Sequence, residues 1–228
     1  MSRNGRLGVV LGLFVVAVGL IVAMFAFYLT PGIPGGVVDF THSQSPGQPV
    51  DLTVQTVGSI GYGAHPTYVT YMVKDPSGRW LHSTAWKLPA NTVIHMTVLQ
   101  YDSGSPLRNQ QWGQVSGVTG NEASLNGSSF GVYDSNSGNG VGHTFTVPGL
   151  GISVPLVGVP SSATNICGVA PCAPSYVHNT ITFSFKTPKT AGNFSWQCFV
   201  PCALGWLYGN GGPMSTQGYM GGYLDVVA

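Results

Sequence analysis

Two thiols and two thioethers stand near the C-terminal end of the chain. Cys198 and Cys202 lie four positions apart, and Met214 and Met220 follow a glycine-rich stretch. Thiolate with thioether is a soft donor set suited to copper, and a loop between two strands is a rigid place to present it. The same residues admit a plainer reading, a Cys198–Cys202 disulfide with two surface methionines, and spacing alone favours it. Among the six histidines, His143 is in phase with Phe145 and Val147, so a strand there turns it toward the core. A lone inward histidine is commonly just hydrogen-bonded in the interior. Its place at a strand end nevertheless makes His143 the best placed of the six to be a ligand. His95 and His178 have the opposite parity to their apolar neighbours and are expected to face solvent. His42, His65 and His82 fall in or beside turn-like segments and are given no role.

The composition limits what else the chain can do. Charged residues make up 7% of the 228 and the formal net charge is +1, so no basic stripe exists to attract nucleic acid. Hydrophobic residues at 43% and aromatic residues at 11% suffice for a core. The 33 glycines and 16 prolines fall between short apolar runs, the pattern of a turn-rich β domain. Seven acidic residues are scattered without a carboxylate pair, and neither a Gly-x-Ser-x-Gly elbow nor a phosphate loop is present. A hydrolytic enzyme is therefore not expected. So few carboxylates also mean little change of charge on acidification near pH ~4, which suits an acidic extracellular setting.

The elements that must position the thiols follow in order. Arg3 and Arg6 precede residues 7–29, which contain no charge. More than ~18 apolar residues can span a bilayer as a helix. The arginines before it put residues 1–6 in the cytoplasm and the remainder outside. A cleaved signal peptide is the rival, but its apolar region runs only ~7–15 residues and ends in small residues, whereas this one ends in Phe27, Tyr28 and Leu29. Residues 30–48 read as a linker and residues 49–228 as one extracytoplasmic domain. Alternation predicts strands over residues 50–57, 68–74, 92–99, 142–147 and 178–186, with residues 193–197 delivering Cys198 and residues 223–227 closing the chain. Asp75, Pro76, Ser77 and Gly78 have turn chemistry and predict a hairpin into Trp80. Residues 102–140 are polar and read as a long loop. Seven or eight short strands make an all-β sandwich or barrel.

Four cysteines on the oxidising side of a membrane default to disulfides. Cys167 and Cys172, with no methionine or histidine close by, are expected to pair with each other. The remaining blocks resemble the cupredoxins, above all the copper-binding domain of cytochrome c oxidase subunit II. Residues 142–151 are similar to the segment carrying that family's first histidine ligand. Residues 187–202 are similar to the strand and Cys-x-x-x-Cys that hold its coppers, and residues 220–226 to its methionine and closing strand. The resemblance implies a cupredoxin-like Greek-key β-sandwich preceded by one N-terminal transmembrane helix. It implies copper as cofactor, with His143 as terminal ligand, Cys198 and Cys202 as bridging thiolates and Met220 as the weak ligand.

The family's second histidine, expected in the ligand loop, is missing. Trp206 stands at that histidine's spacing from Cys202 and Gln217 at its spacing from Met220, and no histidine follows His178. Gln217, Met214 or a backbone carbonyl would then complete the ligand set. The family's aromatic electron-entry patch also has no clear counterpart, with Gln110, Gln111 and Trp112 at most a fragment. Residues 218–222 are in addition similar to membrane-anchored sulfocyanins. The function so implied is a membrane-anchored cupredoxin carrying electrons to or within a respiratory terminal oxidase complex, an electron-transfer protein or subunit rather than an enzyme on its own. Its partners would be that complex or a redox protein, and membrane lipid along residues 7–29. The alternative is a metal-free docking subunit of a membrane complex with Cys198 and Cys202 joined.

Overall fold

The computed structural model describes residues 3–29, 35–45, 47–202 and 212–228, and within the helix the side chains of residues 5 and 8–24. The chain divides into two units, residues 1–32 and residues 33–228. The first is a helix, α1, Arg3–Leu29. Its described apolar side chains from Val9 to Met24 are exposed. The expectation over residues 7–29 is met as a helix. Among the described residues, however, no helix is long and apolar enough to cross a membrane.

The second unit is all β. Its strands are β1 (Val37–Asp39), β2 (Val50–Val57), β3 (Thr70–Lys74), β4 (Trp80–Leu81), β5 (Ala85–Pro89), β6 (Val93–Gln100), β7 (Ala123–Leu125), β8 (Ser128–Phe130), β9 (Val141–Val147), β10 (Ile152–Val157), β11 (Asn179–Lys186), β12 (Gly192–Gln197) and β13 (Gly221–Val227). They form a sheet of order β1-β5-β13-β12-β9-β10 and another of order β4-β3-β2-β6-β11-β7-β8.

Alternation explains the second sheet. β2 runs parallel to β6 and β11 antiparallel to it, so partners of equal parity align in rows: Val50, Ile94 and Phe185; Leu52, Met96 and Phe183; Val54, Val98 and Ile181. All nine side chains are buried, while His95 on the opposite face is exposed. The first sheet contributes the larger rings. Trp86 stacks on Trp196 at 5.0 Å, and Phe145 lies 5.5 Å from Trp196 and 5.8 Å from Phe183 of the opposite sheet. Phe145 thus packs against rings from both sheets. The indole N–H groups of Trp86 and Trp196 donate to the carbonyls of Ser83 and Thr84 at 3.1 Å each, so neither ring buries an unpaired donor.

The hairpin expected at Asp75 forms, with Lys74 paired to Trp80. Asp75 Oδ1 accepts from the backbone N–H groups of Ser77 and Arg79, both at 2.9 Å, and from Ser77 Oγ at 2.7 Å. Asp75 Oδ2 accepts from Arg79 Nη2 at 2.9 Å. The hydrogen bond from Ser77, with those from Arg79 and the guanidinium charge, holds the carboxyl down at about 2. A depressed folded pKa gives stability that is present above the unfolded value of ~3.9 and is lost as pH falls through about 2. Asp75→Asn should therefore lower Tm above pH ~4, with the gap to wild type closing toward pH 2 in thermal melts. A gap independent of pH would refute the assignment.

The structure departs from the pattern where elements are short. Residues 102–140 are not one long loop. They include two 3-10 turns and the β7–β8 hairpin, closed by Asn126 and Gly127 at φ 51° and 90°. Asn-Gly is the residue pair that such a two-residue turn requires, but three-residue strands are too short to show a period. β1 lies inside the stretch read as linker and pairs with β5 in parallel. β5 and β10 were not anticipated. Cys167 and Cys172 form the expected disulfide.

Candidate metal centre

Three strand ends of the first sheet and one loop from the other sheet build the site. β9 carries His143 and, next to it, Thr144. β12 ends at Gln197, paired with Gly221, and the next residue is Cys198. The ladder goes one step further, because Cys198 N–H donates to the Met220 carbonyl at 2.9 Å. Cys198 and Met220 are thus held opposite each other by backbone. Asp102 comes from the segment leaving β6.

His143, Cys198 and Cys202 each offer one donor atom, and the three atoms lie within 4.8 Å of one another. His143 Nδ1 is 3.1 Å from Cys202 Sγ, and the two sulfurs are 2.9 Å apart as free thiols, not a disulfide. The Val200 carbonyl lies 2.9 Å from Cys202 Sγ and 3.4 Å from Cys198 Sγ. Thr144 N–H donates to Cys198 Sγ at 3.3 Å, and Thr144 Oγ1 accepts from Phe199 N–H at 2.9 Å. These bonds fix the first turn of the Cys-x-x-x-Cys segment. His143, Cys198 and Met220 are fully buried, and Cys202 is half-buried.

On its far side, His143 Nε2 meets Asp102 Oδ2 at 3.1 Å. Asp102 Oδ1 is held in turn by Ser103 N–H at 2.8 Å. Gly58 leaves the room: a Cβ there would stand 2.8 Å from Asp102 Oδ1. Gly142 does the same beside His143, since a Cβ would collide with the Gln100 side-chain amide. A carboxylate on one imidazole nitrogen orients the other toward a metal and raises its basicity.

The electrostatics follow from this chain of groups. Burial opposes charge on His143, but the Asp102 carboxylate and the Cys198 thiolate outweigh it and raise the imidazole to about 9. Burial also opposes ionisation of Cys198. Hydrogen bonds from Cys202, His143 and the Thr144 N–H, with the imidazolium charge, bring it well below the ordinary thiol range. Cys202 goes the other way, raised by burial and by the neighbouring thiolate. The Thr144 N–H favours charge on Cys198, while the nearer contact of the Val200 carbonyl favours a protonated Cys202.

The donors fit copper. Two soft sulfurs, one imidazole nitrogen and a carbonyl oxygen face one small volume, with the imidazole fixed from behind. Met220 is buried at the neighbouring position. Met214 is half-buried with its carbonyl accepting from the Gln197 side chain at 3.2 Å, and Gln217 is exposed. Trp206 lies outside the described residues. Asp102, Thr144 and the Val200 carbonyl were not found from sequence. Asp102 stands 41 residues from its partner, and a carbonyl has no side-chain signature. Trp112, read as a fragment, stacks on Phe199 at 4.8 Å beside Cys198. Removing the carboxylate should cost metal affinity. Asp102→Asn is expected to weaken copper binding roughly 10–100-fold, read by competition with a chelator. An unchanged affinity would show that His143 needs no such support.

No protein-family model matches the sequence, and none of the curated proteins does. Solved structures similar to the chain include rusticyanin from Thiobacillus ferrooxidans, at 13% identity over 84% of this chain and 82% of that one, with a TM-score of 0.33. A second structure of the copper protein rusticyanin aligns over 92% of this chain and 94% of that one at 12% identity and a TM-score of 0.35. A chain from a heme-copper terminal oxidase dimer aligns over 99% of this chain and 100% of that one at 13% identity and a TM-score of 0.30. These likenesses are weak, and the resemblance to the cupredoxins rests on the two packed sheets and on the histidine, cysteines and methionine gathered at one end of them.

Proposed function

We propose that the protein binds copper through His143, Cys198 and Cys202, with Met220 beside them, and carries single electrons outside a membrane to or within a respiratory oxidase complex. One observation carries the reading: the imidazole nitrogen and both sulfurs converge within 4.8 Å, with His143 and Cys198 buried and Cys202 half-buried. Bound there, copper would supply one-electron redox chemistry. The chain's own residues do the rest. Asp102 aims the imidazole, Thr144 holds the Cys198 sulfur as thiolate, and the sheets keep both apart from water. Exclusion of water and a fixed ligand frame limit rearrangement when charge changes, which favours fast transfer.

The anchor is part of the same proposal. α1 has 27 residues and no charge after Arg6. Taken over all 27 residues of its sequence rather than the described side chains alone, a helix at 1.5 Å per residue reaches about 40 Å, against a hydrocarbon core of ~30 Å. With Arg3 and Arg6 ahead of the apolar run, the proposal has the N-terminus inside and the β domain outside. Recovery of the full-length protein in the membrane fraction after alkaline washing supports the anchor, and release by that wash refutes it.

The competing reading is a metal-free docking subunit, favoured by the absence of any histidine after His178. Copper titration of the reduced protein, with metal analysis and free-thiol counting, separates the two. Stoichiometric uptake with a thiolate-to-copper absorption band supports the proposal. Four oxidised cysteines and no copper would overturn it.

A further inference from the structure

His143, Cys198 and Met220 of the candidate centre are buried, and besides the Trp112–Phe199 stack a line of rings runs from the residue next to Met220 to solvent. Tyr219, the residue before Met220, is 6% exposed. Its ring lies 5.2 Å from that of the half-buried Tyr68, edge to face. Tyr68 stacks face to face on the exposed His65 at 4.4 Å and 9°. A side branch runs from Tyr219 to His82 at 4.9 Å and from His82 to Tyr62 at 6.5 Å, where Tyr62 is 43% exposed. Inward from Tyr219 the path is covalent as far as the Met220 carbonyl, which accepts the 2.9 Å hydrogen bond from Cys198 N–H. The Tyr219 carbonyl itself accepts from Tyr71 N–H at 3.1 Å, which pins this turn to β3.

We propose that the rings of His65, Tyr68 and Tyr219, continued through the Met220 carbonyl and Cys198, form an electron path joining the surface to the thiolate centre. The inference rests on the copper reading above and names where on the surface electrons enter or leave. Electron tunnelling falls steeply with every gap crossed through space. Rings in contact, covalent bonds and a short hydrogen bond replace such gaps along the whole route. Packing of aromatic side chains for stability alone would not require exposure to rise step by step away from one residue. With copper held by His143, Cys198 and Cys202, a one-electron reductant at His65 would give up one electron and the bound metal would take it up. No bond forms or breaks and no proton moves, and each ring ends with the electrons and protons it began with. The partner this serves is a one-electron carrier that brings its redox group against the His65 face.

The test uses the full-length copper-loaded protein in which His42, His95 and His178 are replaced by glutamine, so that a ruthenium polypyridyl photoreductant coordinates to the exposed His65. The rate of copper reduction after a laser flash is compared in the parent and in Tyr68→Leu, Tyr219→Leu and Tyr219→Phe. Absorption spectra, reduction potentials and Tm values establish that each variant keeps its copper and its fold. The expected result is a severalfold slower transfer in both leucine variants at unchanged potential, with Tyr219→Phe retaining the parent rate because the ring remains. Parent rates in Tyr68→Leu and Tyr219→Leu would overturn the path while leaving copper binding intact. Equal slowing in Tyr219→Phe would also overturn it, because the ring would not be the medium. A protein that takes up no copper would overturn the earlier proposal and this one with it.

Discussion

Cys198→Ser is expected to leave a folded protein that no longer shows a thiolate-to-copper absorption band. The side chain is fully buried, its N–H is fixed to the Met220 carbonyl, and its sulfur accepts from Thr144 N–H. A serine hydroxyl can accept the same hydrogen bond, so the fold loses little. The hydroxyl is a hard donor that stays protonated, and it removes the one sulfur that the surroundings hold as thiolate. The control is Cys167→Ser. That change breaks the disulfide and should cost about 2–5 kcal/mol of stability without altering the band. Titration of both variants with copper, followed by absorption spectroscopy and denaturant unfolding, reads the two effects separately. An unchanged band in Cys198→Ser would remove the copper assignment.

Trp196→Ala should give a large loss of stability, about 3–5 kcal/mol for deleting a buried indole. Trp196 is 1% exposed, lies 4.7 Å from the Tyr71 ring, 5.0 Å from Trp86 and 5.5 Å from Phe145, and donates to the Thr84 carbonyl. The cost is therefore mainly the cavity, because the Thr84 carbonyl keeps the Tyr223 N–H at 3.0 Å. Trp196 stands two residues before Cys198 on β12, so copper affinity should fall with stability. Val132→Ala, at a side chain 68% exposed, should stay within about 0.5 kcal/mol of wild type. Urea unfolding of the three proteins checks this. A Trp196→Ala loss below 1 kcal/mol would mean that the facing rings close over the space.

How legible the molecule was depended on the length of each element. The eight-residue strands Val50–Val57 and Asn179–Lys186 carry several turns of alternation and were readable with their buried faces, whereas Ala85–Pro89 and Ile152–Val157, which contain proline and are buried at most positions, were not. Val37–Asp39 and the Asn126-Gly127 hairpin carry one turn or less, and only pairing with a neighbouring strand makes them β. His143 was read as inward by parity, but every position of β9 is buried. Its inward placement owes as much to cover on both faces as to phase.

The residue types and order of His143, Cys198, Cys202 and Met220 were determined by the chain alone. So was the soft character of the donors, because ligand chemistry is a property of side chains. The gap left by a histidine missing after His178 was equally plain. Tertiary structure decided what the spacing could not. Cys198 and Cys202 stand 2.9 Å apart as thiols with an imidazole beside them, a relation set by β9 and β12 lying side by side. It also supplied Asp102, 41 residues from His143, and the ring contacts from Tyr219 to His65. Such contacts join segments far apart in the chain, and the physical cause is the packing of two sheets, which local periodicity does not encode.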